Sequence, residues 1–383
     1  MNWPLVSMKE LCLFQKKSKR KAGDGLKIGQ FPFYTSSQNI SKWTDEPDYN
    51  LSPSLIFGTG GLPSVHITSS KFSMSGDCIA TTPLDVAIVN AEFIFFYLTG
   101  NKHILEEGFK GAGLKHISKS YLENIKIPLP PLATQKKIVA VLEKADQLRK
   151  DCQQMEQELN SLAQSVFIDM FGSKSDGYNS WVLHRIEELA ETKKGAMRTG
   201  PFGSDLKHSE FVEKGIAVIG IDNAVKNEFT WGERRFITLE KYEKLKRYRV
   251  YPRDLIITIM GTTGRIAVIP DDIPISISTK HLAVITLDKS KVIPEFLAVA
   301  IKTHPDLLNQ IRDSNKGAIM DGLNLGLIKS LTLRLPPVIL QLEYLKVFNE
   351  IQKRVSEIRE SYIQNNELFN SLMQKAFKGE LKL

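Results

Sequence analysis

Long hydrophobic runs are missing from these 383 residues, and no apolar stretch approaches the ~20 residues needed to span a bilayer. Met1–Glu10 lacks the apolar core of a secretory signal, which predicts a cytoplasmic protein that does not meet a membrane. Cysteine is scarce. Cys12, Cys78 and Cys152 are odd in number and far apart, which argues against a disulfide framework or a structural zinc site and for a reducing compartment. Disorder is excluded by ordinary proportions, 42% hydrophobic and 25% charged residues. At ~150 residues per domain, the length predicts two or three units.

Catalytic signatures are missing as well. Gly108 to Gly113 has the glycine spacing of a phosphate loop, but Leu114 stands where the lysine is needed. No HExxH or CxxC pair offers metal ligands, and the seven histidines are scattered. An amino-methyltransferase needs an Asn/Asp-Pro-Pro-aromatic loop to hold its target amine. Both Pro-Pro pairs here follow a leucine, Leu129 or Leu335. Glu191-Thr192-Lys193 and Glu380-Leu381-Lys382 match the Glu-x-Lys half of a nuclease site without a convincing Pro-Asp before either. The expectation is a binding protein with no catalytic residue and no metal; a nuclease using Glu191 and Lys193 is the competing enzyme reading.

What is present is a second copy of the chain within itself. Lys110-Gly111-Ala112 recurs as Lys316-Gly317-Ala318, and Leu122, Ile125, Ile127, Leu129, Pro130, Pro131 and Gln135 meet Ile328, Leu331, Leu333, Leu335, Pro336, Pro337 and Gln341. Further upstream Gly58, Gly61 and Glu92-Phe93 meet Gly261, Gly264 and Glu295-Phe296. Trp3, Leu5 and Leu11 meet Trp181, Leu183 and Leu189. Such agreement over long stretches implies two similar lobes.

Each lobe ends on an alternating strand pattern, Ile125–Leu129 or Leu331–Leu335, stopped by Pro-Pro and followed by a long helical pattern. In the first helix apolar residues fall at Ile138, Leu142, Ala145, Leu148, Cys152, Met155, Leu159, Leu162 and Val166. The second carries Tyr344, Phe348, Ile351, Val355, Ile358, Tyr362, Asn365, Phe369, Leu372 and Ala376. Steps of four and three make a narrow seam, which favours helices that pair in a coiled coil over helices that lie separately on their lobes. Asn365 either fixes register in that seam or turns outward beside Asn366.

The formal charge of +8 resides in the lobes. Residues 1–130 hold 14 Lys and Arg against 11 Asp and Glu, and residues 180–337 hold 24 against 19. A basic balance of this kind suits a polyanionic partner. Lys16, Lys17, Lys19, Arg20 and Lys21 form the densest cationic run. In the second lobe Lys241, Lys244, Lys246, Arg247, Arg249 and Arg253 interleave with Tyr242, Tyr248 and Tyr251, after Arg234-Arg235. These are phosphate contacts or solvated faces. Gln38 and Asn39 follow one strand-like segment and Asn223 another, where they serve either adenine recognition or turn chemistry. The residues expected to meet DNA are Lys16, Lys17, Lys19, Arg20, Lys21, Gln38, Asn39, Arg198, Asn223, Arg234, Arg235, Lys246, Arg247 and Arg249. The glycine loops Gly58–Gly61 and Gly261–Gly264 read as tight turns or as points of close phosphate approach.

The pattern resembles the DNA-specificity subunits of type I restriction–modification systems. Gly200-Pro201-Phe202-Gly203-Ser204, with Leu206-Lys207, Glu210-Phe211, Gly215 and Val218-Ile219, is similar to the opening of a target-recognition domain. Gly322-Leu323-Asn324 through Ile328, Leu335-Pro336-Pro337 and Gln341 resembles the family's transition into its conserved helix, and Gly113-Leu114-Lys115 through Leu129-Pro130-Pro131 and Gln135 repeats it. The resemblance covers essentially the whole chain. It implies a mixed α/β fold of two target-recognition domains, residues 1–130 and 173–337, with conserved helices at 131–172 and 338–383 that pair antiparallel about a pseudo-twofold axis. It further implies double-stranded DNA as ligand, each domain reading half of an asymmetric bipartite site. Two modification (methyltransferase) subunits and restriction (translocase–nuclease) subunits would be the partners. S-adenosylmethionine, ATP and magnesium would belong to those partners, leaving this chain without a cofactor. The alternative is a two-component system with a fused methyltransferase–nuclease. The Val338-Ile339-Leu340 start of the second helix departs from Leu132-Ala133-Thr134 in being more apolar, which puts equivalent docking of the two helices in doubt.

Overall fold

A computed structural model describes residues 3–314 and 323–381, Ser204 by its backbone alone. Lys316-Gly317-Ala318, Gly322 and Lys382 lie outside the described residues. The chain divides into two compact units, Met1–Met155 with Ile358–Leu383, and Glu156–Glu357.

In the first unit the lobe contains short strands β1 (Leu5–Ser7), β2 (Cys12–Phe14), β3 (Phe31–Tyr34), β4 (Trp43–Thr44), β5 (Ser54–Gly58), β6 (Ser64–Thr68), β7 (Ser73–Met74), β8 (Cys78–Pro83) and β9 (Lys126–Pro128). They form a four-stranded sheet ordered β2-β8-β5-β6, a three-stranded sheet ordered β4-β3-β7 and the pair β1-β9. Ser54-Leu55-Ile56-Phe57-Gly58 is buried along its whole length, because β5 lies inside its sheet with core on both faces. The helix Ala91–Gly100 closes the core with Phe93, Ile94, Phe96 and Leu98. Asn90 caps its start by accepting from Phe93 N at 2.7 Å.

The second unit repeats this plan with β10 (Leu183–Arg185), β11 (Met197–Thr199), β12 (Ile216–Ile219), β13 (Phe236–Ile237), β14 (Arg249–Val250), β15 (Leu255–Thr258), β16 (Ile266–Val268), β17 (Ser276–Ser278), β18 (Leu282–Ile285) and β19 (Thr332–Arg334). The sheets are β11-β18-β15-β16, β13-β12-β17-β14 and the pair β10-β19. In each lobe one sheet contains a parallel pair, β3 with β7 in the three-stranded sheet of the first and β12 with β17 in a four-stranded sheet of the second. The duplication extends to register: Leu5 faces Pro128 and Leu183 faces Arg334.

The first long helix runs Leu132–Phe171 and the second Val338–Lys378. Each starts directly after Pro-Pro, which ends the preceding strand because proline supplies no ladder donor. Within the first unit Arg149 donates to Asn366 at 3.0 Å and Gln153 to Tyr362 at 3.3 Å, so the two helical segments run antiparallel. Asn365 is turned inward and donates to the Cys152 thiol at 3.4 Å. Within the second unit Leu159 and Ala163 pack with Ile351 and Val355, and the Phe167 ring lies 5.2 Å from Tyr344, again antiparallel.

The first helix departs from the expected seam. Ile138, Leu142, Ala145 and Cys152 are buried, but Leu148, Met155 and Leu162 are 42%, 44% and 49% exposed. Arg149 occupies the place expected for Leu148, with its guanidinium 4.2 Å from the Phe369 ring centroid. Further along, Ala163, Phe167 and Phe171 are buried at four-residue steps. A helix of 3.6 residues per turn drifts off a strict 3.5 repeat, and here the drift carries the leucines outward.

Candidate nucleic-acid interface

Strand direction decides which segments can act together. In the first lobe β2, β3 and β5 all finish at one end of the sheets, where β8 begins and β7 ends. The following segments are tied there by backbone bonds: Gly76 N to Arg20 O at 2.7 Å, Ser75 N to Tyr34 O at 2.8 Å, and Thr59 N to Asp77 O at 2.8 Å. Gly61 N to Lys115 O at 3.1 Å adds the 110–116 segment. Ser36 is the central bracket, donating to Asp77 O at 2.7 Å and accepting from Thr59 N and Gly60 N. Gly61 adopts φ +81°, a left-handed conformation that a side chain resists, so turn geometry accounts for it.

This end gathers every DNA-contact candidate of the first lobe. Lys16, Lys17, Lys19 and Lys21 are exposed and have no carboxylate partner among the described residues. Arg20 differs: it is half-buried and bridges Asp48 at 2.8 Å, with further bonds to Glu46 O and Thr44. Gln38 and Asn39 are exposed, and Gln38 donates to Pro63 O at 3.3 Å. Two exposed cations that sequence reasoning did not select, Lys110 and Lys115, join them through the Gly60–His116 bridge. Their signal in the sequence was the repeat around Lys110-Gly111-Ala112, which carried no hint of charge clustering.

The second lobe assembles the corresponding end. Thr279 N bonds Ile219 O at 2.9 Å, Ile259 N bonds His281 O at 2.8 Å, and Val218 N bonds Arg235 O at 2.9 Å. These bonds bring 220–223, 234–235, 259–265 and 279–281 together. The turn Gly261–Gly264 holds both glycines at positive φ, +73° and +81°. A Cβ on Gly200 would lie 2.3 Å from the Thr279 backbone, so the chain passes there only as glycine.

Arg234 is exposed and lies 5.1 Å over the Trp231 ring. Arg265 is exposed and Lys280 half-buried at the same end; neither was selected from the sequence. Beside Lys280, His281 is held below its ordinary pKa by burial and then by the Lys280 and Arg235 charges. Arg235 is paired with Asp222. Much of the second cationic run is neutralised in the same way: Lys241 by Glu210, Lys244 by Glu240, Lys246 by Glu243, Arg247 by Asp205 and Arg253 by Glu295. Arg249 stacks on Tyr251 at 5.0 Å. Two members of the expected set are inside the lobe. Asn223 is buried, accepting from Gly220 N and donating to Thr230 O, both at 2.9 Å. Arg198 is 8% exposed, bonded to Asp254 at 2.6 Å and to the Arg249 and Gly195 carbonyls.

Among the described residues no group of three or more His, Cys, Asp or Glu could hold a metal ion. Glu191 and Lys193 pair with each other at 2.6 Å on the surface. All three cysteines are buried, and burial pushes the Cys12 thiol up to about 12 and Cys78 to about 11. No described helix is long and apolar enough to cross a membrane.

Residues 1–161 match the type I restriction modification DNA specificity domain. The EcoBI specificity subunit of Escherichia coli is 24% identical over 381 residues, covering 94% of this chain and 78% of that protein. Residues 1–161 thus carry the match to that domain, and along most of its length the chain is similar to a type I specificity subunit. A putative specificity subunit, MjaX of Methanocaldococcus jannaschii, is 45% identical over 146 residues, 36% of this chain and 34% of its own length. The fold agrees with the solved type I S subunit of M. genitalium at TM-score 0.62 and 16% identity, covering 98% of this chain and 96% of that one. A second solved structure, concerned with complex assembly of a type I system, gives TM-score 0.58 at 15% identity over 99% of this chain and 98% of its own. The relatives named here are specificity subunits of type I restriction enzymes, and the matched domain is a DNA specificity domain.

Proposed function

We propose that each lobe reads one half of an asymmetric bipartite DNA target through the end described above. One observation carries this reading: the same strand framework twice presents a turn-rich, cation-bearing end, and the two ends differ in side chains. The first offers Lys16, Lys17, Lys19, Lys21, Gln38 and Asn39; the second offers Arg234, Arg265 and Lys280. The cations position the protein on phosphates, while amides and apolar loop residues meet base edges. The long helices, at 1.5 Å per residue about 60 Å each, link the lobes and dock two methyltransferase subunits. Those subunits bring S-adenosylmethionine, and restriction subunits with ATP and magnesium join for cleavage.

Exchanging residues 180–335 for the matching lobe of a relative, in the assembled methylating complex, tests this. One half of the methylated motif should change and the other should keep its bases. A change in both halves would refute modular reading.

A further inference from the structure

Gln135 and Gln341 occupy equivalent places in the duplicated chain, three residues into the two long helices, and both are completely buried. Buried amides are uncommon at a helix surface, and each of these makes three hydrogen bonds in one pattern. Gln135 Oε1 accepts from Asn90 N at 2.9 Å, while its Nε2 donates to Ile88 O at 2.9 Å and Pro130 O at 2.8 Å. Gln341 Oε1 accepts from Ile293 N at 2.9 Å, while its Nε2 donates to Lys291 O at 3.1 Å and Pro336 O at 2.9 Å.

The partners are specific positions in the lobe. Asn90 and Ile293 are the residues that cap the helices Ala91–Gly100 and Pro294–Thr303. Ile88 and Lys291 stand two residues before those caps. Pro130 and Pro336 are the first prolines of the Pro-Pro pairs. One amide therefore joins the root of the long helix, the chain entering it and the start of the lobe's own helix. An apolar side chain of equal size would fill the slot without direction, and the contact could rock. Three bonds meeting backbone groups from different sides define an angle.

We propose that Gln135 and Gln341 are positioning residues that lock each lobe against swivelling on its long helix. The consequence is for DNA: the two half-sites are read only at one separation. This rests on the two-half-site reading above. One added base pair moves a half-site by about 3.4 Å and turns it by about 35°, so a stiff joint rejects it and a loose joint tolerates it.

The experiment uses the specificity subunit assembled with its methyltransferase subunits, carrying wild type, Gln135→Met, Gln341→Met or both. Substrates are duplexes with both native half-sites and spacers of native length, or one or two base pairs longer or shorter. Adenine methylation is read per spacer, alongside the melting temperature. The latch predicts that each variant keeps the bases of both half-sites. Its discrimination against the one-base-pair changes should fall by about tenfold, the loss expected when one or two such bonds cease to oppose the swivel, and further in the double variant. Gln135→Glu retains the acceptor but loses both donors, and should behave like Gln135→Met; it serves also where the methionine variant does not assemble. Variants that melt earlier but discriminate as wild type would overturn the proposal, since the amides would then stabilise without positioning. A wild-type complex whose motif is continuous would refute the two-half-site reading and this inference with it.

Discussion

Replacing Lys16, Lys17, Lys19 and Lys21 with alanine should weaken DNA binding for every sequence alike. The proposed interface puts four lysines against phosphates. These four ammonium groups are exposed at the end of the first lobe and unpaired among the described residues, whereas the neighbouring Arg20 is committed to Asp48. Each phosphate contact contributes about 0.9 to the slope of log affinity against log salt, so the slope should shrink by about 3.6. Across a fourfold rise in salt, such as 50 to 200 mM, the wild type should then lose about 150-fold more affinity than the variant. Fluorescence anisotropy on a labelled duplex at four or five salt concentrations measures this, with a duplex lacking the target as the second arm. Specific and non-specific binding should fall together, because phosphates carry no sequence information. Arg20→Ala should instead lower thermal stability with little change in slope. An unchanged slope in the four-lysine variant would mean that this end faces solvent in the complex, and the assignment of the interface would be wrong.

Two further outcomes concern the second lobe. Asp254→Ala leaves the Arg198 guanidinium buried without its carboxylate and should cost about 3–5 kcal/mol in urea unfolding, much of it regained in Arg198→Met/Asp254→Leu, with the methylated motif unaltered. His304 is fully buried, with Nε2 donating to Phe171 O at 2.9 Å and Nδ1 accepting from Asp306 N at 3.2 Å; burial holds its pKa below the ordinary 6.5. A depressed histidine pKa favours the neutral, folded form, so its stabilisation is complete above pH 6.5 and declines as pH falls toward the folded-state value, by up to about 1.4 kcal/mol per pH unit. His304→Gln should flatten that part of the stability profile; an equally steep decline would place the titrating group elsewhere.

Much of this architecture was legible in order along the chain. The offset matches between Leu129-Pro130-Pro131 and Leu335-Pro336-Pro337 located both helix starts, since proline acts on its immediate neighbours. All ten seam positions expected in the second helix are buried or half-buried. The first helix was read less well, because Leu148 and Arg149 compete for one place and only the Phe369 ring opposite settles it for the arginine.

The candidate interface is the part that local pattern could not supply. Lys16, Asn39, Gly61, Asp77 and Lys115 are strung over about a hundred residues, and parallel pairing of β3 with β7 gathers their segments at one end. The same constraint hid Arg265 and Lys280, which no charge run announces, and turned Arg198 and Asn223 into the lobe, where the Asp254 carboxylate and the Gly220 and Thr230 backbone take up their polar atoms. Gln135 and Gln341 marked the repeat in the sequence, but their partners lie some fifty residues upstream. Periodicity and proline act within a few residues and so can be read along the chain. Which charge faces solvent, and which amide meets which carbonyl, depends on elements distant in sequence that only the packed sheets bring within hydrogen-bond reach.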